Sequence, residues 1–115
     1  MSDTVPASVL DRPLALSRVG GDMELLREIA VMFVDDCPRA LAELREALAS
    51  SDALKLENAA HALKGSVANF GAQTAVNVAF RLEQMGRSGQ LGEARETLRA
   101  LEGALSAVCA ELAAL

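Results

Sequence analysis

The chain contains one histidine, His61, and the residues around it set out what its imidazole could do. Residues 59–72 read Ala-Ala-His-Ala-Leu-Lys-Gly-Ser-Val-Ala-Asn-Phe-Gly-Ala. Ala, Leu and Lys are strong helix formers, so the stretch begins as a helix. At about 100° per residue, Leu56, Ala60, Leu63, Val67 and Phe70 share one apolar stripe, and His61 falls outside it. Lys64 lies beside the imidazole, Gly65 one turn on to the other side, and Ala68 almost directly above. Glycine inside a helix costs about 1 kcal/mol relative to alanine, so Gly65 asks for a reason. Close packing against another helix would be one. Its place beside the imidazole and away from the apolar stripe favours another: clearance for a partner protein or a phosphoryl group.

Such a histidine has four uses. It can be a surface residue with no role. It can ligate a metal, but a site needs three or four ligands. Glu57 lies one turn earlier, yet there is no second histidine and no paired Glu-x-x-His pattern of the di-iron bundles. It can be a general base, but no Ser, Cys or Asp is placed in sequence to form a catalytic set. The fourth use is a covalent phosphoryl carrier. A neutral imidazole, with an unperturbed pKa of about 6.5, is a good nucleophile near neutral pH. Lys64, three residues on, can stabilise the added negative charge. A ring with small neighbours lets an incoming carboxylate approach in line.

The elements that must present this ring are legible in outline. A chain of 115 residues suits one domain. It is 51% hydrophobic with three Phe and no Tyr or Trp, so the core must be aliphatic, which favours helices. Asp11 caps a short helix with Pro13 in its first turn, Leu14, Leu16 and Val19 as apolar contacts, and Gly20-Gly21 as its stop. Asp22 caps a second helix that runs to about residue 49, with Ile29, Phe33, Cys37, Leu41, Leu44 and Leu48 in its stripe. Pro38 interrupts it, but the apolar period runs through, which predicts one kinked helix rather than two. Ser50, Ser51 or Asp52 caps the third helix, which carries His61 and ends near Phe70-Gly71. A fourth spans about 72–85, with Gly86-Arg87-Ser88-Gly89 expected as a loop. The last runs from about Gly92, with Ala94, Leu98, Leu101, Leu105, Val108, Leu112 and Leu115 as a bundle seam. The expected fold is all-α: an antiparallel up-and-down four-helix bundle with a short extra N-terminal helix. Residues 1–10 are expected as a tail and 11–115 as the domain.

Composition narrows the function classes. The net charge is −5 and the eleven Lys and Arg are scattered, which argues against nucleic-acid binding. No apolar run is long enough to span a membrane, and no secretory signal is visible, so a cytoplasmic location is expected. Cys37 and Cys109 lack metal-site spacing and read as two buried, reduced thiols.

His61-Ala62-Leu63-Lys64-Gly65-Ser66, followed by Asn69 and Gly71-Ala72, resembles the signature of histidine phosphotransfer (HPt) domains, the phosphorelay modules of multistep two-component systems. Gly20-Gly21-Asp22, Phe33 to Pro38, Leu82-Glu83 and Arg87 to Leu91 also look like that family, in the right order. The likeness covers about residues 11–105. It implies that His61 is the phosphoacceptor, that Lys64 stabilises charge and that Gly65 keeps the ring accessible. The phosphoryl group would be exchanged with the receiver-domain aspartate of a response regulator or hybrid sensor kinase. The resemblance implies no autokinase activity and no cofactor or metal of the chain's own, magnesium belonging to the receiver partner. Ser66 is expected to bond back to a carbonyl one turn earlier, and Asn69 to bond near the helix end. Some family members place a glutamine near the histidine where this chain puts Glu83. A carboxylate there would orient the ring but repel a phosphoryl group. The alternative function is a helical interaction module that docks on a receiver or kinase without carrying phosphate.

Overall fold

The computed structural model describes residues 9–115. Most of the expected tail, residues 1–8, lies outside the described residues. Val9 and Leu10 rest on the helices: the Val9 N–H donates to Glu111 Oε2 (3.1 Å) and Leu10 is buried.

The described chain folds as helices α1 (Arg12–Ser17), α2 (Met23–Ala49), α3 (Ala53–Ala68), α4 (Gln73–Ser88) and α5 (Ala94–Ala113). Aspartates start the first three, because a short carboxylate at the N-cap satisfies an otherwise unpaired backbone N–H. Asp11, Asp22 and Asp52 accept from Leu14 N, Leu25 N and Lys55 N respectively. α2 is one helix with Pro38 inside it, as its unbroken apolar period predicts.

Each of the four long helices packs on two others, α2 and α4 both lying against α3 and α5, while α1 leans on α2. This is the expected four-helix bundle with a short extra helix. Its centre is aliphatic: Leu44, Leu56, Val67, Leu82, Leu101, Leu105 and Val108 are fully buried, and Phe70 with them. The seam read for α5 is buried from Ala94 to Leu112. On α2, Cys37, Leu44 and Leu48 are buried as expected, and Leu26, Ala30 and Ala47 join them. Ile29, Phe33 and Leu41 sit at the margin, Phe33 edge-on to Phe70 at 5.5 Å between ring centroids.

Two glycines shape the helix pair that matters for function. Gly71 ends the α3–α4 turn with φ +64°, and a Cβ on it would lie 2.4 Å from Asp11 Cβ. Asp11 N donates to Phe70 O across that contact (3.0 Å), so the turn is left-handed and crowded at once, and only glycine fits. Gly86 corrects the sequence reading. It was expected to open a loop, yet α4 continues to Ser88 and Gly86 is buried within it. A Cβ there would meet the α3 backbone, at 2.6 Å from Glu57 N and 2.7 Å from Ala53 O. Gly86 is the point of close approach between two helices rather than a breaker, and Gly89, at φ +74°, ends the helix instead.

Both cysteines are free thiols. α2 against α5 brings them near each other. Burial first, then the neighbouring Cys109, pushes the Cys37 thiol up to about 11, so it stays uncharged and packs as a small hydrophobe. Cys109 is only half-buried, a departure from expectation, because it sits at the edge of the α5 seam.

Candidate functional site

Burial of Leu56, Ala60, Leu63 and Val67 fixes the rotation of α3. His61 must then face outward, and its side chain is 68% exposed. The ring is nevertheless held. Nδ1 lies 3.1 Å from Oε2 of Glu83, which projects from the facing helix α4 and is itself only 3% exposed. An ionised carboxylate only accepts hydrogen bonds. Nδ1 therefore carries the proton in this contact, and Nε2, across an exposed ring, is the nitrogen with the lone pair.

A buried carboxylate is costly unless it is paired. Glu83 has two cations besides the imidazole. Lys64 Nζ lies 2.7 Å from Oε1, an ion pair between α3 and α4. Arg87 Nη2 donates to Oε2 at 3.0 Å, and Arg87 Nε donates to Glu57 Oε2 at 3.0 Å. The Lys64 ammonium holds the Glu83 carboxyl below the usual carboxylate range; burial works against this, and the His61 ring adds to it. Lys64 also lies over the Phe80 ring, 4.8 Å from its centroid, so its position is set from α4.

His61, Lys64 and Gly65 thus come together on one exposed patch. A Cβ on Gly65 would meet nothing within 4 Å, so no neighbour among the described residues requires glycine there. Ser66 Oγ donates to Ala62 O at 3.2 Å, as expected. Asn69 is the C-cap of α3, through its backbone N–H. Ile29, Met32 and Phe33 of α2 line an open groove that continues to Ser66 and Asn69 on α3.

Arg87 and Phe80 belong to this site and escaped the sequence reading. In sequence Gly86 reads as a breaker, which puts Arg87 in a loop. The spacing of Glu83 and Arg87, four apart on one helix face, was the available signal. Phe80 carried no signal: a half-exposed aromatic on α4 looks like the margin of a core.

A family model of the Hpt domain matches residues 28–111. The chain belongs to the Hpt domain family. Domains of this family are phosphocarriers with a histidine phosphotransfer role in phosphorelays, and they interact with receiver or kinase partners. The crystal structure of histidine-containing phosphotransfer protein B (HptB) from Pseudomonas aeruginosa PAO1 is similar to this Hpt chain, with a TM-score of 0.86 and 27% sequence identity. The match covers 93% of each chain. No curated protein matches the chain. No helix among the described residues of this Hpt domain is long and apolar enough to cross a membrane.

Proposed function

We infer that this Hpt domain is a phosphorelay intermediate whose acceptor is Nε2 of His61. The observation that carries this reading is the exposed imidazole held at Nδ1 by a buried carboxylate, because it leaves one defined nucleophilic nitrogen. Nε2 attacks the phosphorus of a receiver aspartyl phosphate. The N–P bond forms, the P–O bond breaks and the aspartate leaves as carboxylate. In the reverse sense, or with a second receiver, a carboxylate takes the group back. Lys64 and Arg87 supply positive charge beside the phosphoryl group, and Gly65 leaves room for the receiver to reach the ring. The groove along Ile29, Met32 and Phe33, with Asp35 and Asp36 in its lining, gives the receiver a docking face that reaches α3 at Ser66. Magnesium would be the receiver's. The sequence has no glycine-rich phosphate loop of its own, which supports a carrier without autokinase activity.

The test is direct. Incubation with a phosphorylated receiver domain should give base-stable, acid-labile label on the chain. Tight binding without such label would favour a docking module that carries no phosphate.

Two substitutions probe the supporting residues. Lys64→Ala should slow transfer by about ten- to a hundredfold, since a charge-assisted contact is worth about 1.5–3 kcal/mol. Arg87 and His61 still pair with Glu83, so the fold should persist. An unchanged rate in rapid-quench transfer assays would deny Lys64 its role. Gly65→Ala should raise stability by up to about 1 kcal/mol through helix propensity, because the added methyl meets open space. The same methyl should slow transfer from the receiver. A more stable variant with undiminished transfer would exclude clearance as the reason for Gly65.

A further inference from the structure

Nδ1 of His61 faces an oxygen that can only accept. Glu83 Oε2 lies 3.1 Å from Nδ1, and the same oxygen accepts from Arg87 Nη2 at 3.0 Å. The other oxygen is taken by the Lys64 ammonium at 2.7 Å. Glu83 is buried, ionised and doubly countered, so it has no proton to offer the ring. In the free protein this suits the Nδ1–H tautomer. Bond formation at Nε2 uses the lone pair there, and the ring becomes an imidazolium that bears phosphoryl on Nε2 and its original proton on Nδ1. A phosphorylated imidazole in open water sheds that proton as the pH rises, which leaves a lone pair on Nδ1. In this site that lone pair would point at a carboxylate oxygen about 3 Å away, with two acceptors and no hydrogen between them.

We propose that Glu83 is a positioning residue that keeps the proton on Nδ1 throughout the transfer cycle, so that phosphorylated His61 is an imidazolium and surrenders its phosphoryl group readily. This rests on His61 being the phosphoacceptor. The atoms balance without any proton moving at the ring. On loading, Nε2–P forms, the aspartyl P–O bond breaks and a carboxylate departs. On unloading, an acceptor carboxylate attacks phosphorus and the N–P electron pair returns to Nε2, leaving the same neutral Nδ1–H imidazole. A deprotonated ring would instead have to leave as an imidazolate, a far poorer leaving group.

The charged groups around Nδ1 are Glu83 and Arg87 from α4 and Lys64 and Glu57 from α3. The two cations oppose a ring cation, but each is paired with a carboxylate, and the phosphoryl group itself adds negative charge. A glutamine in place of Glu83 would not impose the same state. Its amide can present oxygen to a protonated Nδ1 or turn its NH2 toward a bare one. The carboxylate therefore tunes this carrier for rapid hand-on rather than for storage.

The experiment uses the full chain with 15N-labelled histidine, phosphorylated by phosphoramidate so that no receiver is needed. The Nδ1 resonance is followed against pH in the wild type, in Glu83→Gln and in free phosphohistidine. In the wild type the ring should hold its proton at least about one pH unit beyond both references, the shift expected of an adjacent opposite charge. At mildly alkaline pH, phosphorylated Glu83→Gln should hydrolyse about tenfold more slowly than wild type, in step with the protonated fraction. Equal midpoints in the wild type and free phosphohistidine would overturn the proposal without recourse to any variant. So would a longer-lived phosphoryl group in the wild type than in Glu83→Gln. Refusal of His61 to take label from phosphoramidate that labels free histidine would overturn it as well. Transfer from a receiver is scored separately: failed transfer with a protonated Nδ1 would sink the phosphorelay reading alone.

Discussion

His61→Gln is expected to abolish acid-labile phosphorylation of the chain while leaving its stability within about 0.5 kcal/mol of wild type. The reasoning is local. No other side chain in the sequence offers an imidazole, so the loss should be complete rather than partial. The ring is mostly exposed and contributes nothing to the core, which is why its removal should not unfold the bundle. Glu83 keeps Lys64 and Arg87 as partners, and the new amide can donate to Oε2 in place of Nδ1–H. Label from a phosphorylated receiver, measured beside a urea unfolding curve, checks both halves. Normal labelling of the variant would place the acceptor elsewhere. Loss of label together with loss of fold would say that the imidazole is structural.

Gly86→Ala should destabilise the domain by about 2 kcal/mol, within the range measured for overpacked contacts. Helix propensity alone points the other way, since alanine gains about 1 kcal/mol over glycine in a helix. Packing decides. The new methyl would press on Glu57 N at 2.6 Å, Ala53 O at 2.7 Å and Glu57 Cα at 2.9 Å, all of them backbone atoms of α3. A flexible side chain could swing aside, but a helix backbone cannot, so α3 and α4 must separate. Those two helices carry His61 and Lys64 on one side and Glu83 and Arg87 on the other. Transfer should therefore fall along with the urea midpoint. A variant as stable as wild type would show that the pair can slide apart at no cost. Gly65 and Gly86 are both helical but have opposite surroundings, so the same substitution should move stability in opposite directions.

Much of this was legible in the residues. The stripe Leu56, Ala60, Leu63, Val67 and Phe70 placed His61 on the outside of α3, and the helix is rotated that way. Three aspartate caps and the positive-φ glycines 20, 21, 71 and 89 punctuate the chain where turn chemistry says they should. What misled was Gly86. Glycine marks a helix end and a close helix crossing with the same letter, and only the neighbour distinguishes them. Reading it as a breaker cost the α4 residues behind it, including Arg87.

The amino-acid order by itself determined that this is a helical bundle, which faces its helices bury, and that one imidazole stands outside with a lysine and a glycine beside it. Those are matters of period and local propensity, written within single helices. Only the packing of α3 on α4 decided what the ring touches. Glu83 reaches His61 and Lys64, and Phe80 reaches Lys64, from a different helix, 16 to 22 residues away in sequence, while Arg87 holds Glu83 from its own helix. Their approach depends on the distance and rotation between two helices, which no pattern along one of them encodes.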